Sequence, residues 1–167
     1  MPDGSAFIVR VPAADSGGEF VEMEFVIPPG GVAPPPHIHP QQVESYEVIE
    51  GSFELMVDGR WSSLAEGESA SVPRGSEHTF RNRSGETARV LNWHRPAVRF
   101  EDFIERVNTS LAAAGVRRKR DPRLAICLST AILEFDQTLI PSRRHDRIAM
   151  EIMSGLGRMF GVPPDRH

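Results

Sequence analysis

The sequence predicts a mainly β protein, an antiparallel β-sandwich or barrel followed by a C-terminal helical segment. Turn-forming residues are concentrated in the first part: residues 1–99 hold 10 of the 14 glycines and 10 of the 14 prolines. Short apolar stretches alternate with these turn formers, which is typical of strands joined by tight turns. Residues 100–167 instead carry apolar residues at helical spacing. We therefore expect a β-barrel at residues 1–99 and a helical extension at residues 100–167.

Roughly seven or eight short strands are expected in the barrel. The clearest covers residues 20–27, where apolar residues occupy every second position. This period of two indicates a strand with one buried face. Asp58 and Gly59 separate two further strands and predict a two-residue hairpin turn. The other predicted strands cover residues 7–11, 46–50, 53–57, 61–64, 69–72, 78–82 and 87–94.

The first two predicted helices of the extension have recognisable ends. The first begins at Phe100 and ends before Gly115, a residue suited to a helix C-cap. The second begins with Asp121 as its N-cap and Pro122 at the first helical position. Because its apolar stripe continues to Leu139, we expect this helix to run up to the proline that follows.

The third predicted helix covers about residues 143–160. Its apolar residues at helical spacing are Ile148, Ile152, Leu156 and Met159. An apolar stripe of this kind is normally buried against another surface. The extension is therefore expected to pack on the barrel or on a partner subunit, and we expect a homodimer.

Composition and charge exclude several classes of protein. The single cysteine excludes an intramolecular disulfide and a cysteine-rich zinc cluster. The net charge of −4 gives no reason to expect a nucleic-acid partner. No secretory signal and no apolar stretch of transmembrane length are visible in the sequence. We expect a cytoplasmic protein with a small-molecule substrate and no membrane partner.

Four residues form a pattern suited to metal binding. His37 and His39 lie two residues apart, so on a strand both imidazoles point to the same side. Glu44 follows after a short loop, and His78 begins another predicted strand. Three imidazoles and one carboxylate suit a divalent first-row transition metal and leave coordination positions open. The sequence therefore predicts one metal site built from these four residues.

Around these residues the sequence resembles the cupin superfamily. Ten positions match the two cupin motifs, G-x5-H-x-H-x4-E-x6-G and G-x5-P-x-G-x2-H-x3-N. They are Gly31, His37, His39, Glu44 and Gly51 in the first motif and Gly67, Pro73, Gly75, His78 and Asn82 in the second. The resemblance covers about residues 20–96. It implies a double-stranded β-helix, a jelly-roll-like barrel, whose motif histidines and glutamate bind one divalent ion of Fe, Mn, Ni, Co, Cu or Zn.

The stretch from His37 to Gly51 also resembles the quercetinase-like cupins. This resemblance implies a metal-dependent dioxygenase, an oxidoreductase that acts on an aromatic or enolisable small molecule, with Glu44 as the catalytic base. Two alternatives remain open. One is a non-redox metal-dependent cyclase or isomerase, for example a polyketide cyclase, and the other is a non-catalytic cupin that binds a small molecule.

Tyr46, Phe80 and His94 are candidates for substrate binding. Tyr46 has the same strand parity as Glu44, and Phe80 has the same parity as His78, so both side chains can face the predicted site. The alternative for Tyr46 is packing in the core. His94 ends a predicted strand, and its alternative is a partly exposed position without a role in the site.

Overall fold

The computed structural model describes residues 1–31 and 33–159, which form two β-sheets and three helices. The strands are β1 (Ala6–Val11), β2 (Val21–Ile27), β3 (His37–Ile38), β4 (Val43–Glu50), β5 (Ser52–Val57), β6 (Arg60–Ala65), β7 (Ser69–Val72), β8 (Glu77–Arg81), β9 (Ala88–Arg95) and β10 (Ile140–Pro141). The helices are α1 (Phe100–Ala113), α2 (Pro122–Glu134) and α3 (Arg144–Met159). Thus β10 lies between the last two helices and returns the chain to the barrel.

The strands form two five-stranded sheets in which neighbouring strands are antiparallel. One sheet has the order β1-β2-β9-β4-β7, and the other has the order β10-β3-β8-β5-β6. Apolar side chains from both sheets form a common core between them. The prediction of a mainly β barrel with a helical extension is confirmed.

The alternating pattern of β2 forms one wall of this core. Its four apolar residues at alternate positions are all buried. Glu24, on the opposite face, is buried as well. One carboxylate oxygen lies 2.7 Å from the guanidinium of Arg89, and the other lies 3.3 Å from that of Arg10. The positive charges of Arg89 and Arg10 therefore compensate the negative charge of Glu24, whose carboxylate is buried on this face of the sheet.

Two turns depend on a left-handed backbone conformation. Asp58 and Gly59 join β5 to β6 with φ angles of 48° and 80°, the positive values that a type I′ hairpin turn requires, so the predicted hairpin is confirmed. Gly51 joins β4 to β5 with a φ of 75°. A Cβ atom at this position would lie 2.8 Å from the carbonyl oxygen of Thr87, so glycine is required there by both conformation and space.

The structure confirms the predicted C-cap of α1 and the predicted start of α2. Gly115 follows α1 with a φ of 64°, and the N–H of Val116 donates to the carbonyl of Leu111 at 3.0 Å. The side chain of Asp121 accepts a hydrogen bond of 3.0 Å from the backbone N–H of Arg123, as an N-cap does.

The prediction that α2 continues to Leu139 is wrong. The helix ends at Glu134, and Phe135 leaves the helical conformation. Ile140 and Pro141 then pair with β3 of the barrel. Hydrogen bonding to the barrel therefore replaces a further turn of helix, a tertiary effect that helical periodicity does not reveal.

The helical extension packs on the barrel. Its buried apolar residues belong to the same cluster as the barrel core; among them are Phe100, Phe103, Val107, Leu111, Leu124 and Ile132. α3 lies against α2 and buries Met150 and Ser154. The two domains of the sequence prediction therefore share one core.

The outer side of α3 differs from the expectation. Ile148, Ile152 and Leu156 are 57%, 60% and 43% exposed, so the stripe expected to be buried lies on the surface of the chain. The predicted end at Phe160 and the side chain of Met159 lie outside the described residues. The homodimer that would cover this stripe stays a prediction.

None of the helices in the described part of the chain combines the length and the apolarity that a membrane crossing needs.

Candidate metal centre

The two sheets bring the four predicted ligands together inside the barrel. His37 on β3 pairs with His78 on β8, and His39 follows directly after β3. Glu44 lies on β4, in the opposite sheet. One ligand atom from each of the four residues lies within 4.8 Å of all the others, and all four residues are buried.

A backbone carbonyl orients each of the three imidazoles. The pairs, all through Nδ1, are His37 with Pro35 at 2.9 Å, His39 with Thr138 at 2.6 Å, and His78 with Ser76 at 3.1 Å. Because a carbonyl oxygen can only accept, each Nδ1 carries the proton and each Nε2 carries the free lone pair. This is the tautomer in which a histidine ligates a metal through Nε2.

Two of the three Nε2 atoms, those of His39 and His78, have no hydrogen-bond partner. His39 Nε2, His78 Nε2 and Glu44 Oε2 are all buried and all unpartnered. Glu44 Oε2 lies 3.5 Å from the first nitrogen and 2.7 Å from the second, but the orientation is not that of a hydrogen bond. Metal–ligand bonds of about 2.0–2.2 Å place neighbouring ligand atoms at about 3 Å from each other. The residues therefore fit a metal ion in position, atom type and unsatisfied lone pairs.

Asn92 holds the other oxygen of Glu44. Its Nδ2 donates to Glu44 Oε1 at 2.8 Å, and its side chain is fully buried. The carboxylate is thereby turned so that Oε2 faces the histidines. Sequence reasoning missed Asn92, although it lies on β9 at the same strand parity as His94.

The electrostatics of the cluster follow from burial and from mutual contacts. Burial alone would raise the pKa of Glu44, but His94, His78 and His39 around the carboxylate together hold that pKa well below its usual range. Burial and the charges of His78 and His39 hold the pKa of His37 well below its ordinary value. At neutral pH the carboxylate is therefore ionised and His37 is neutral, the protonation states that metal ligands need.

His78 is the exception among the imidazoles. Burial lowers its pKa, but the adjacent Glu44 carboxylate has the larger combined effect and raises the pKa above its ordinary value. A metal ion at this position therefore competes with a proton on His78.

Two of the three candidate substrate-binding residues lie close to Glu44. His94 Nε2 is 3.2 Å from Glu44 Oε1, and its ring stacks on Phe100 with centroids 3.4 Å apart. His94 is fully buried, not partly exposed, and burial lowers its pKa to about 4. Tyr46 is buried against Phe53, and burial and Glu44 raise the pKa of its hydroxyl well above the usual value. Their role toward a substrate stays a prediction.

A cavity of about 110 Å³ begins at His37 and Glu44 and extends into the helical extension. Phe80, the third candidate, lines it from the barrel side. The helices contribute Phe100, Phe103, Ile104, Val107, Leu128, Ile132 and Met150. The extension therefore forms one wall of the cavity.

The extension also pairs with β3, the strand that carries His37. β10 pairs with β3 so that Ile140 lies opposite Ile38 and Pro141 lies opposite His37. The carbonyl of Thr138, directly before β10, accepts the hydrogen bond from His39. Sequence reasoning missed this contribution, because the pattern around Thr138 continues that of a helix.

Comparison with known proteins agrees with this geometry. Residues 23–94 match the family model of the Cupin domain. The chain is 33% identical over 75 residues to quercetin 2,3-dioxygenase of Bacillus subtilis (strain 168), a match that covers 45% of this chain and 22% of that protein. The chain thus spans less than half the length of the curated relatives it matches.

Two solved structures show the same barrel. TT1209 from Thermus thermophilus superposes with a TM-score of 0.52 and 26% identity, over 58% of this chain and 88% of that one. A predicted oxalate decarboxylase from Thermotoga maritima superposes with a TM-score of 0.53 and 15% identity, over 55% and 80% of the two chains. The second likeness concerns the fold alone.

Fold and site together define a jelly-roll-like double-stranded β-helix with a buried histidine–glutamate cluster at its centre. The ten motif positions lie within the stretch that matches the family model, residues 23–94. This part of the chain is a cupin domain, and a helical extension follows it.

Proposed function

We propose that this protein is a metal-dependent oxygenase that acts on an aromatic or enolisable small molecule. The observation that carries the proposal is the convergence of three buried, unpartnered ligand atoms, His39 Nε2, His78 Nε2 and Glu44 Oε2. Buried polar atoms without partners are costly, and a bound cation compensates them. The likeness to a quercetin 2,3-dioxygenase supports oxygen chemistry.

The three histidines and Glu44 would hold one divalent ion, of Fe, Mn, Ni, Co, Cu or Zn, and leave positions open for substrate. A bound redox-active ion would supply electron transfer to dioxygen and would lower the pKa of a substrate hydroxyl. Glu44 is ionised at neutral pH and, once its Oε2 leaves the ion, could accept the proton of that hydroxyl. Asn92 holds the other carboxylate oxygen by a hydrogen bond of 2.8 Å.

The first test is the metal content of the purified full chain. We expect His78→Ala to lose most of the bound metal, measured by elemental analysis, while its circular dichroism spectrum stays that of the wild type. His145→Ala is the matched control, because that side chain is 72% exposed and lies on α3. Undiminished metal in His78→Ala would contradict the site assignment.

The second test separates the possible reactions. Oxygen consumption is measured with a panel of phenols and enols, and turnover is measured again without oxygen. The proposal requires that turnover stops under nitrogen. Turnover that continues there favours the non-redox cyclase or isomerase, and metal binding without any turnover favours a binding protein. Glu44→Gln is expected to retain part of the metal and to lose turnover.

A further inference from the structure

The lining of the cavity restricts what it can hold. His37 and Glu44, at one end, are the only polar residues among the described residues that line it. The remainder of the wall consists of aromatic and aliphatic side chains and prolines from the barrel and the helices. A ligand can therefore form polar contacts at one end and must bury an apolar body against the rest.

The same lining disfavours a second charged group on the ligand. No lysine or arginine is among the described residues that line the cavity, and the terminal ammonium of Met1, which also lines it, donates to the carbonyl of Ser5 at 2.9 Å. A carboxylate or phosphate away from both His37 and Met1 would therefore be buried without a counter-ion. Burial of an unpaired charge is strongly unfavourable.

The volume limits the size of the ligand. The cavity measures about 110 Å³. For comparison, an engineered apolar cavity of about 150 Å³ in another protein binds benzene. The cavity is therefore somewhat smaller than one that holds a single ring, so one six-membered ring is the upper limit of its contents, and a second fused ring requires that side chains of α1 or α2 move.

We propose that the substrate is an uncharged single-ring compound with one hydroxyl or enol group, and that α1 and α2 select it by enclosing the ring. The hydroxyl lies at His37 and Glu44, and the ring lies against the helical wall. This inference rests on the proposed function, since it assigns a substrate class to the same site. The extension is then the part of the chain that sets substrate size.

Leu128 on α2 is suited to test the helical wall. It lines the cavity and is only partly buried, so a larger side chain can enter the cavity without a change elsewhere in the core. Leu133 is a matched control: it is the same residue type on the same helix, is also partly buried, and is not among the residues that line the cavity.

The experiment measures binding of two matched probes to the metal-free full chain by calorimetry. Both probes, 4-methylphenol and 4-hydroxybenzoate, carry a phenolic hydroxyl, and they differ in the group at the far end of the ring. We expect 4-methylphenol to bind at least about tenfold more tightly than 4-hydroxybenzoate. We expect Leu128→Trp to weaken 4-methylphenol binding at least about tenfold and Leu133→Trp to leave it within about twofold.

Each result decides the inference. Any one of three results would overturn the inference. They are that the two probes bind equally well, that 4-methylphenol shows no measurable binding to the wild type, and that the two tryptophan variants have equal effects. A Zn²⁺ titration of the same variants is expected to show unchanged metal affinity. The probes are measured without metal, so the two proposals can fail independently. If the wild-type protein does not bind metal, the proposed function is wrong, but the preference for one probe over the other can still be observed.

Discussion

At the scale of single residues, the candidate centre depends on groups that hold the ligands in position. Three backbone carbonyls fix the imidazole tautomers, and Asn92 fixes the rotation of Glu44. Such contacts reduce the conformational freedom that a ligand must lose when a metal binds. Their removal typically lowers metal affinity by about 10–100-fold.

Asn92→Ala is therefore expected to lower metal affinity by about 10–100-fold while the barrel stays folded. The variant removes the hydrogen bond to Glu44 Oε1, and the carboxylate then loses its fixed orientation. The affinity is measured by competition between the protein and a chelator for Zn²⁺ or Co²⁺. An affinity equal to that of the wild type would show that Glu44 needs no support from Asn92.

Asn82→Ala provides the contrast. Asn82 is equally buried, but its amide donates to the carbonyls of Ile27 and Glu86 at the edge of the barrel. We expect this variant to lower the free energy of unfolding by about 1–3 kcal/mol, because two carbonyls lose their donor. Its metal affinity is expected to stay that of the wild type.

The convergence of the predicted ligands could be expected from the sequence because part of their geometry is local. Two histidines at i and i+2 share a side of a strand wherever that strand lies in the fold. Asn92 and Thr138 act on residues 48 and 99 positions away. Their contacts depend on the register of β4 against β9 and on the path of the chain after α2, neither of which a single sequence specifies.

At the scale of secondary-structure elements, the turns determine where each strand ends and so help to position the side chains of the cluster. Gly51 ends β4, the strand that carries Glu44, and returns the chain into β5. Its backbone conformation and its distance to Thr87 exclude a side chain. The turn thus helps to position Glu44, which lies seven residues earlier in the chain.

Gly51→Ala is expected to lower the free energy of unfolding by about 2–4 kcal/mol, the sum of left-handed strain and the contact with the Thr87 carbonyl. Gly67→Ala is the matched control, because Gly67 has a similar φ of 82° and open space around it. For Gly67→Ala we expect the free energy of unfolding to fall by only about 1–2 kcal/mol, the cost of the left-handed conformation alone. Urea unfolding measures the free energy of unfolding of both variants. Equal losses would show that the short distance between residue 51 and the Thr87 carbonyl does not contribute.

The strands and hairpins could be predicted from alternation and turn residues, which act within a few positions. The end of α2 and the exposure of the apolar side of α3 could not be predicted in this way. In α2 the apolar pattern continues beyond Glu134. The chain nevertheless leaves the helix, because pairing of β10 with β3 satisfies its backbone groups in another way. In α3 the pattern indicates an apolar side, but not which surface covers it.

At the scale of the whole molecule, barrel and extension share one hydrophobic core. The core residues of both parts form one cluster, and β10 joins the extension to the barrel by backbone pairing. A chain with a single core is expected to unfold cooperatively, as small single domains usually do. The boundary between residues 99 and 100 separates two kinds of secondary structure around that core.

Thermal unfolding of the full chain is therefore expected to show one transition. Both tryptophans, Trp61 and Trp93, lie in the barrel, whereas the helical extension dominates the circular dichroism signal at 222 nm. We expect the two signals to change at the same temperature and added Zn²⁺ to raise both midpoints equally, because ligand binding stabilises the whole cooperative unit. Two separate midpoints would show that the extension unfolds independently.

The hydrogen bond between His39 and Thr138 also sets an order of events during synthesis. Its two residues are 99 positions apart, and the acceptor belongs to the later one. A nascent chain that has emerged only as far as the last barrel strand holds all four ligand side chains, but His39 has no group to fix its tautomer. We therefore expect the three imidazoles to reach the orientation described here only after the segment beyond α2 has left the ribosome.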